Sequence, residues 1–594
     1  MSKIEWMVMY NSLQDLQANR ESGSNSGGTR RLQLQWERPG LLPDVTISSQ
    51  TEIGQTEGSI KVPYQRAYTG RKPVISSSLA DTLCSSLGIQ GLLDLLNTTL
   101  GTSYTLDTPS LSFVLKDCIA QEYDFGTAYG RLRSAWCNQR RRVIQMELWE
   151  REAEDINQRR DALDGNRIVN PKMPPRRVWD LYSNRVVPWW SCRPAFHWFE
   201  DTSKAQPISH AWVDEGDRVD VLTPINGYEW PVPIPKGANL DLIRIEMLNL
   251  GVEYTWLDVL CLRQRGGPRE DLRVEEWKLD VPTIGAIYYY TDVVWYLSGL
   301  GLPLSLKKGD LESDQYWFRR AWTVQEVGQE RIIAGNTPDG PMHAEPIDEV
   351  GNYEDEILTK FHQQLTSVHT ASGLYGSLSA MQDRISTYPV DKVAGLAYSL
   401  GTHSIPAYYE SQSLEEAWTA LINEMNKFNR AGLFFTYPGS GTGCKKWRPS
   451  WEQVMTKSLP KESNPPAAYV ERDDDDWCEG LHIERGFVRG LAVGGVEGID
   501  RCGELVVEDA DGLGHSFNIV ASHQYPIPED TYTLLGSNPF RWKDEIYPPQ
   551  YWVVGRRLPS KMFEKVSVFT MTDIDEIKRL KELGLSAMSR SALA

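Results

Sequence analysis

The stretch Tyr254-Thr-Trp-Leu-Asp-Val-Leu-Cys-Leu-Arg-Gln264 begins as a strand and ends as a polar turn. Tyr254 to Leu260 mixes aromatic and β-branched residues with a single charge, Asp258. A strand that is apolar on both faces suits the middle of a parallel sheet covered by helices. Asp258 falls toward the C-terminal end of this run. Ligands of open α/β sheets collect at the carboxyl ends of the strands, which makes Asp258, Cys261 and Gln264 candidates for a site. The plain alternative is a helix-capping Asp, a buried Cys and a surface Gln.

Outward from this strand the chain keeps a βα rhythm. Gln206-Pro-Ile-Ser-His-Ala-Trp212 is a short apolar run that ends in His210 and Trp212. After a Gly- and Pro-rich interval, Asn239 is placed to cap a helix. Its apolar residues Leu240, Ile243, Met247 and Leu250 share one face, and Gly251 is the expected stop. Trp277, Val281, Ile284 and Tyr288 mark a second helical face, with Pro282 requiring a start near Asp280 or a kink. Asp292 to Ser298 is a third strand. Trp317-Phe-Arg-Arg-Ala-Trp-Thr-Val-Gln-Glu-Val327 then reads as a helix. In such a helix Arg319, Trp322 and Glu326 share a face. Strands alternating with helices predict a doubly wound parallel sheet, with strands near 207–211, 253–259 and 292–298 side by side. The alternating Arg177 to Val187 predicts a hairpin added at its edge.

Three blocks in this region, Ile208-Ser-His-Ala-Trp212, Tyr254 to Gln264 and Arg319-Arg-Ala-Trp-Thr-Val-Gln-Glu326, resemble in order and spacing those of the fungal heterokaryon-incompatibility (HET) domain. There they read roughly L-S-x-x-W, W-I-D-x-x-C-I-x-Q and R-x-W-T-x-Q-E. The resemblance covers about 130 of the 594 residues closely. It implies a flavodoxin-like fold related to Toll/interleukin-receptor (TIR) domains, and a role in programmed cell death on non-self contact. Asp383 to Gly395 resembles the segment that follows the core in many HET proteins. Its charges Arg384, Asp391 and Lys392 are expected to pin a helical layer to the core.

The chain as a whole is too long for one core and suggests several domains. The expected division is a loosely ordered 1–75, a helical 76–170, the α/β core at 171–335, a helical 336–465, and a β-rich 466–594 with a terminal helix. Glu21 to Thr29 has the composition of a flexible linker, so limited proteolysis is expected first between Glu21 and Arg31. Arg140 to Arg160 is strongly charged, with Glu147 and Arg151 four residues apart, and reads as a solvated helix face packed on one side, the sharper alternative being an interaction helix for a partner. Pro460 to Asp476 reads as a solvated linker. Short β-type runs after it predict a small antiparallel sheet, and Asp573 starts a last helix that Gly584 ends.

The net charge of −18 argues against nucleic acid or an anionic membrane as partner. No run of 18 apolar residues predicts a membrane span, and the N-terminus lacks the layout of a signal peptide. The eight cysteines are scattered without a C-x-x-C pair, so reduced thiols in a cytoplasmic protein are expected, with no metal site. Gly439 to Lys446 lacks the spacing of a phosphate-binding loop. Cys261 with His210 is a conceivable nucleophile–base pair, set against the ordinary reading of a buried thiol.

Some TIR domains cleave NAD at the nicotinamide–ribose bond through the glutamate of a W-x-x-x-E element. Trp322-Thr-Val-Gln-Glu326 has that spacing. The resemblance therefore implies Glu326 as the catalytic residue, His210, Trp212, Asp258, Gln264, Arg319 and Trp322 as substrate-binding, and NAD as a substrate with no bound cofactor. It leaves open a signalling scaffold that reacts with nothing and acts by self-association through this domain. A helical protein with a vestigial core is a third reading.

Overall fold

The computed structural model describes residues 44–70, 73–108, 110–136, 143–192, 205–289, 291–368, 373–400, 403–461, 466–473, 475–538, 540–542 and 545–594. At its centre lies a six-stranded sheet. Its strands are β1 (Arg177–Asp180), β2 (Arg185–Pro188), β3 (Gln206–His210), β4 (Tyr254–Trp256), β5 (Val293–Tyr296) and β6 (Arg331–Ile333), in the order β6-β5-β3-β4-β1-β2. β3, β4, β5 and β6 are mutually parallel, with Trp256 opposite Pro207, Tyr296 opposite His210 and Val293 opposite Arg331. The three expected strands are thus neighbours, and β1 and β2 form the expected antiparallel edge hairpin.

Each connection follows from local chemistry. Helix α1 (Leu240–Asn249) starts where the Asn239 side chain accepts the amides of Asp241 and Leu242. It stops at Gly251, whose φ of +82° is left-handed backbone that glycine adopts without a Cβ clash. The short α2 (Asp258–Cys261) follows β4 directly. The second predicted helix is divided at Pro282 into α3 (Asp271–Asp280) and α4 (Ile284–Tyr289), as a missing amide requires. α1 covers the sheet face carrying Tyr296, whose hydroxyl donates to Glu246 at 2.5 Å. α4 covers the other face, where Tyr288 packs edge-on to Trp256 at 5.8 Å. Helices on both faces leave all of β4 and β5 buried.

The segment from Trp317 to Val327 departs from its expected helix. It forms two single 3-10 turns, Trp317–Arg319 and Trp322–Val324. Its backbone is claimed from elsewhere: the Ala321 amide donates to Ile385 O at 2.9 Å and the Ile385 amide returns to Arg319 O at 2.6 Å. The Thr323 hydroxyl occupies the carbonyls of Trp317 and Arg320.

Asp44–Ala594 packs as one compact unit. Helices Cys84–Leu100, Leu111–Ala120, Phe125–Trp136 and Ile144–Ala162 precede the sheet, and Arg133 joins them to its hairpin edge. This arginine donates to Asp180 at 2.8 Å, to the Tyr254 hydroxyl at 2.6 Å and to Glu253. The Arg-rich helix packs on one side as expected, with Glu147 and Arg159 buried and the latter 3.6 Å from Asp280. Three expectations need correction. Residues 44–70 are not loose: Val45–Ser48 pairs with Ala67–Gly70, and Gln65 reaches Glu246. Asp476 is no linker residue: it is buried, paired with Arg430 and bonded by the Trp447 indole at 3.1 Å. The C-terminal sheet is not small, having eight strands and a core of its own around Trp552 and Phe569. The terminal helix Ile574–Glu582 is capped by Asp573 as expected. The predicted proteolytic site between Glu21 and Arg31 lies outside the described residues.

Candidate functional site

Read in chain order, the four parallel strands stand second, first, third and fourth across the sheet, so the order reverses between β3 and β5. A crevice outside the carboxyl ends at such a reversal is where open α/β sheets place ligands. His210 is the last residue of β3, and Asp258 and Ser298 lie just beyond β4 and β5, so all three reach the same edge.

His210 is buried, and both of its ring nitrogens face acceptors. Nε2 lies 2.8 Å from Asp258 Oδ1, and Nδ1 lies 3.3 Å from Ala211 O. Burial disfavours the charged imidazolium, but the Asp258 carboxylate outweighs it and holds the His210 pKa above the ordinary value. The same Asp258 oxygen accepts the Val259 amide at 2.7 Å, which holds the carboxylate that orients the histidine.

Glu326 approaches from the loop between β5 and β6. Its Oε2 accepts the Ser209 hydroxyl at 2.5 Å, and Ser209 in turn accepts the Trp317 indole N–H at 2.8 Å. Burial pushes the Glu326 carboxyl up to about 7. The Ser209 hydroxyl opposes that rise, the Asp258 charge adds to it, and His210 and Arg384 pull it down. The charges of Asp258 and His210 thus act on Glu326, while its hydrogen bond comes from Ser209. A carboxyl poised near neutrality beside a histidine–carboxylate pair is a pattern of acid–base and charge-stabilising sites.

The other expected residues fall at differing places. Trp212 is half-buried beside His210, with ring centroids 5.6 Å apart, and the Arg218 guanidinium lies 5.7 Å from the Trp212 ring centroid. Gln264 donates to the carbonyls of Asp258 and Leu262, bracing the turn. Arg319, Trp322 and Glu326 do not form one helical face, because the segment is not a helix. Arg319 turns to Glu312 O at 2.6 Å and Asp314 at 3.5 Å. Trp322 bonds the buried Asp391, which also accepts the Tyr408 hydroxyl at 2.7 Å. Cys261 is buried and its thiol is pushed up to about 12, so it is no nucleophile.

Ser209, Trp317 and Arg384 join the cluster without having been picked out as site residues. Arg384 donates to Arg320 O at 2.7 Å and to the Thr323 hydroxyl, fixing the loop that carries Glu326. Strand periodicity sends Ser209 to the face opposite His210, but nothing in the sequence marks it as a site residue. Comparisons with protein-family models, with curated proteins and with solved structures return no match for this chain.

Proposed function

We propose that the chain is a HET-type protein with a flavodoxin-like, TIR-related core, and that it hydrolyses NAD at the nicotinamide–ribose bond. The observation that carries this reading is Glu326. Its carboxyl, raised to about 7, stands with His210 and Asp258 at the carboxyl edge of the parallel sheet, within the W-x-x-x-E element. The reversed strand order of the parallel strands supports the fold assignment.

The chemistry fits one carboxylate. The nicotinamide of NAD is a pyridinium cation, so it departs with the C1'–N bonding pair as a neutral molecule and no general acid is required, while water adds to the ribose C1' and releases a proton; ordinary glycosides need two carboxyl groups. Ionised Glu326 stabilises the positive charge developing on the ribose and accepts its hydroxyls. The half-buried Trp212 beside His210 offers an aromatic ring for contact with the substrate.

Self-association through this core is part of the proposal, since TIR-type NADases often need clustering. The test is nicotinamide release from NAD by protein held in forced oligomers, with Glu326→Gln beside the parent. Release by the parent and none by a folded Glu326→Gln variant supports the reading. No release from the oligomerised parent would favour a non-enzymatic scaffold.

A further inference from the structure

We propose that Ser209, polarised by the indole of Trp317, is the positioning residue that aims the Glu326 carboxylate and sets the pH at which it ionises. The inference rests on Glu326 being the reacting carboxylate. Ser209 is 1% exposed and Trp317 fully buried, so the hydroxyl has no route to water as an alternative partner. Its single proton goes to Glu326 Oε2 at 2.5 Å, and the Trp317 N–H at 2.8 Å occupies its acceptor side. The indole donates and cannot accept, so the chain has one direction: Trp317 to Ser209 to Glu326.

The chain is rigid at both ends. Trp317 packs on Trp295 with ring centroids 4.1 Å apart and planes tilted by 31°, and the Trp295 indole donates to the backbone carbonyl of Glu326 at 3.3 Å. One pair of packed indoles therefore holds the glutamate by its main chain and, through Ser209, by its carboxylate. Ser209 belongs to β3, opposite Trp295 in β5, so the hydroxyl is fixed by the sheet and not by a loop.

A donor to the ionised form lowers the pKa of a carboxyl. Other charges facing Glu326 are Asp258 and His210 from the ends of β4 and β3, Arg384 and Arg320 from the adjoining loops, and the Tyr288 hydroxyl from α4. Of all these, only Ser209 bonds the carboxylate through a hydroxyl.

The experiment titrates the full chain labelled with carboxyl-13C glutamate, the Glu326 signal being assigned by its loss in Glu326→Gln. Ser209→Ala raises the midpoint by roughly one pH unit. Ser209→Thr, which keeps the hydroxyl, returns it toward the parent. Trp317→Phe keeps the ring packing, removes the N–H, and raises the midpoint less. If Ser209→Ala fails to fold, the Trp317→Phe and Ser209→Thr titrations decide alone. An unmoved midpoint in Ser209→Ala, or in Trp317→Phe where that variant decides, overturns the inference. The pH profile of nicotinamide release should move with the titration. NAD cleavage with both unmoved by Ser209→Ala defeats only this inference, whereas a shifted titration without NAD cleavage defeats only the proposed activity.

Discussion

Replacing Arg133 by Met tests the joint between the N-terminal helices and the sheet. Arg133 is 4% exposed, and its guanidinium lies over the rings of Tyr182, Tyr254 and Tyr129 at 4.7, 5.1 and 5.7 Å. Its partner Asp180 is fully buried. Methionine keeps much of the packing but leaves Asp180 with no cation. Burial already pushes the Asp180 carboxyl up, with Arg133 opposing. Without Arg133 the carboxyl must take a proton in order to stay buried. Doing so at pH 7.5 costs an ordinary Asp about 5 kcal/mol, and at pH 5 about 1.5 kcal/mol. The sign follows from linkage: a folded-state pKa raised above the unfolded value gives stability that is lost as pH rises. Arg133→Met should therefore lose about 3–5 kcal/mol near pH 7.5 and clearly less at pH 5. Arg133→Met with Asp180→Asn should recover more than half of the loss at pH 7.5. Denaturant unfolding followed by circular dichroism at the two pH values measures this. A loss that is equal at both pH values, with no recovery in the double variant, would refute the argument.

Three further outcomes follow from the same structure. The Glu326 carboxyl, raised by burial to about 7, gives stability that is complete below its unfolded value near 4.3 and lost as pH rises through 7. Glu326→Gln should consequently gain on the parent by up to about 3 kcal/mol between pH 5 and pH 8, read by thermal unfolding across that range. Lys565 is buried, with its ammonium donating to the carbonyls of Phe434 at 2.6 Å and Tyr437 at 2.7 Å at the end of the helix Lys427–Phe435. Lys565→Met leaves those acceptors bare and should cost about 3 kcal/mol in denaturant unfolding. Asn239→Ala removes the cap of α1 and should cost about 1 kcal/mol, with Asn239→Asp largely retaining it, measured the same way.

The sheet was legible because its strands are apolar on both faces and bounded by turn residues. Asn239 and Gly251 marked α1 through chemistry that acts within a few residues, and Pro282 marked the break between α3 and α4. The Trp317–Val327 segment misled for a physical reason. Trp317, Ala321 and Val324 fall at helical spacing and are all buried, but their surroundings come from Ile385 and Arg384, more than 50 residues away. Asp476 misled likewise, because its partner Arg430 is supplied by a distant helix. At the site, Asp258 and His210 were readable as polar residues at strand ends. Ser209 was not, since a serine within a strand carries no signal until the indole of Trp317 arrives beside it.

The central claim is that an ionised Glu326 cleaves NAD, and the pH dependence of nicotinamide release by oligomerised protein tests it most directly. The account predicts release that rises from pH 5.5 to pH 8 with a midpoint near about 7, and none at any pH from folded Glu326→Gln. Equal release by the parent and by Glu326→Gln, or none from the oligomerised parent across that range, would contradict it.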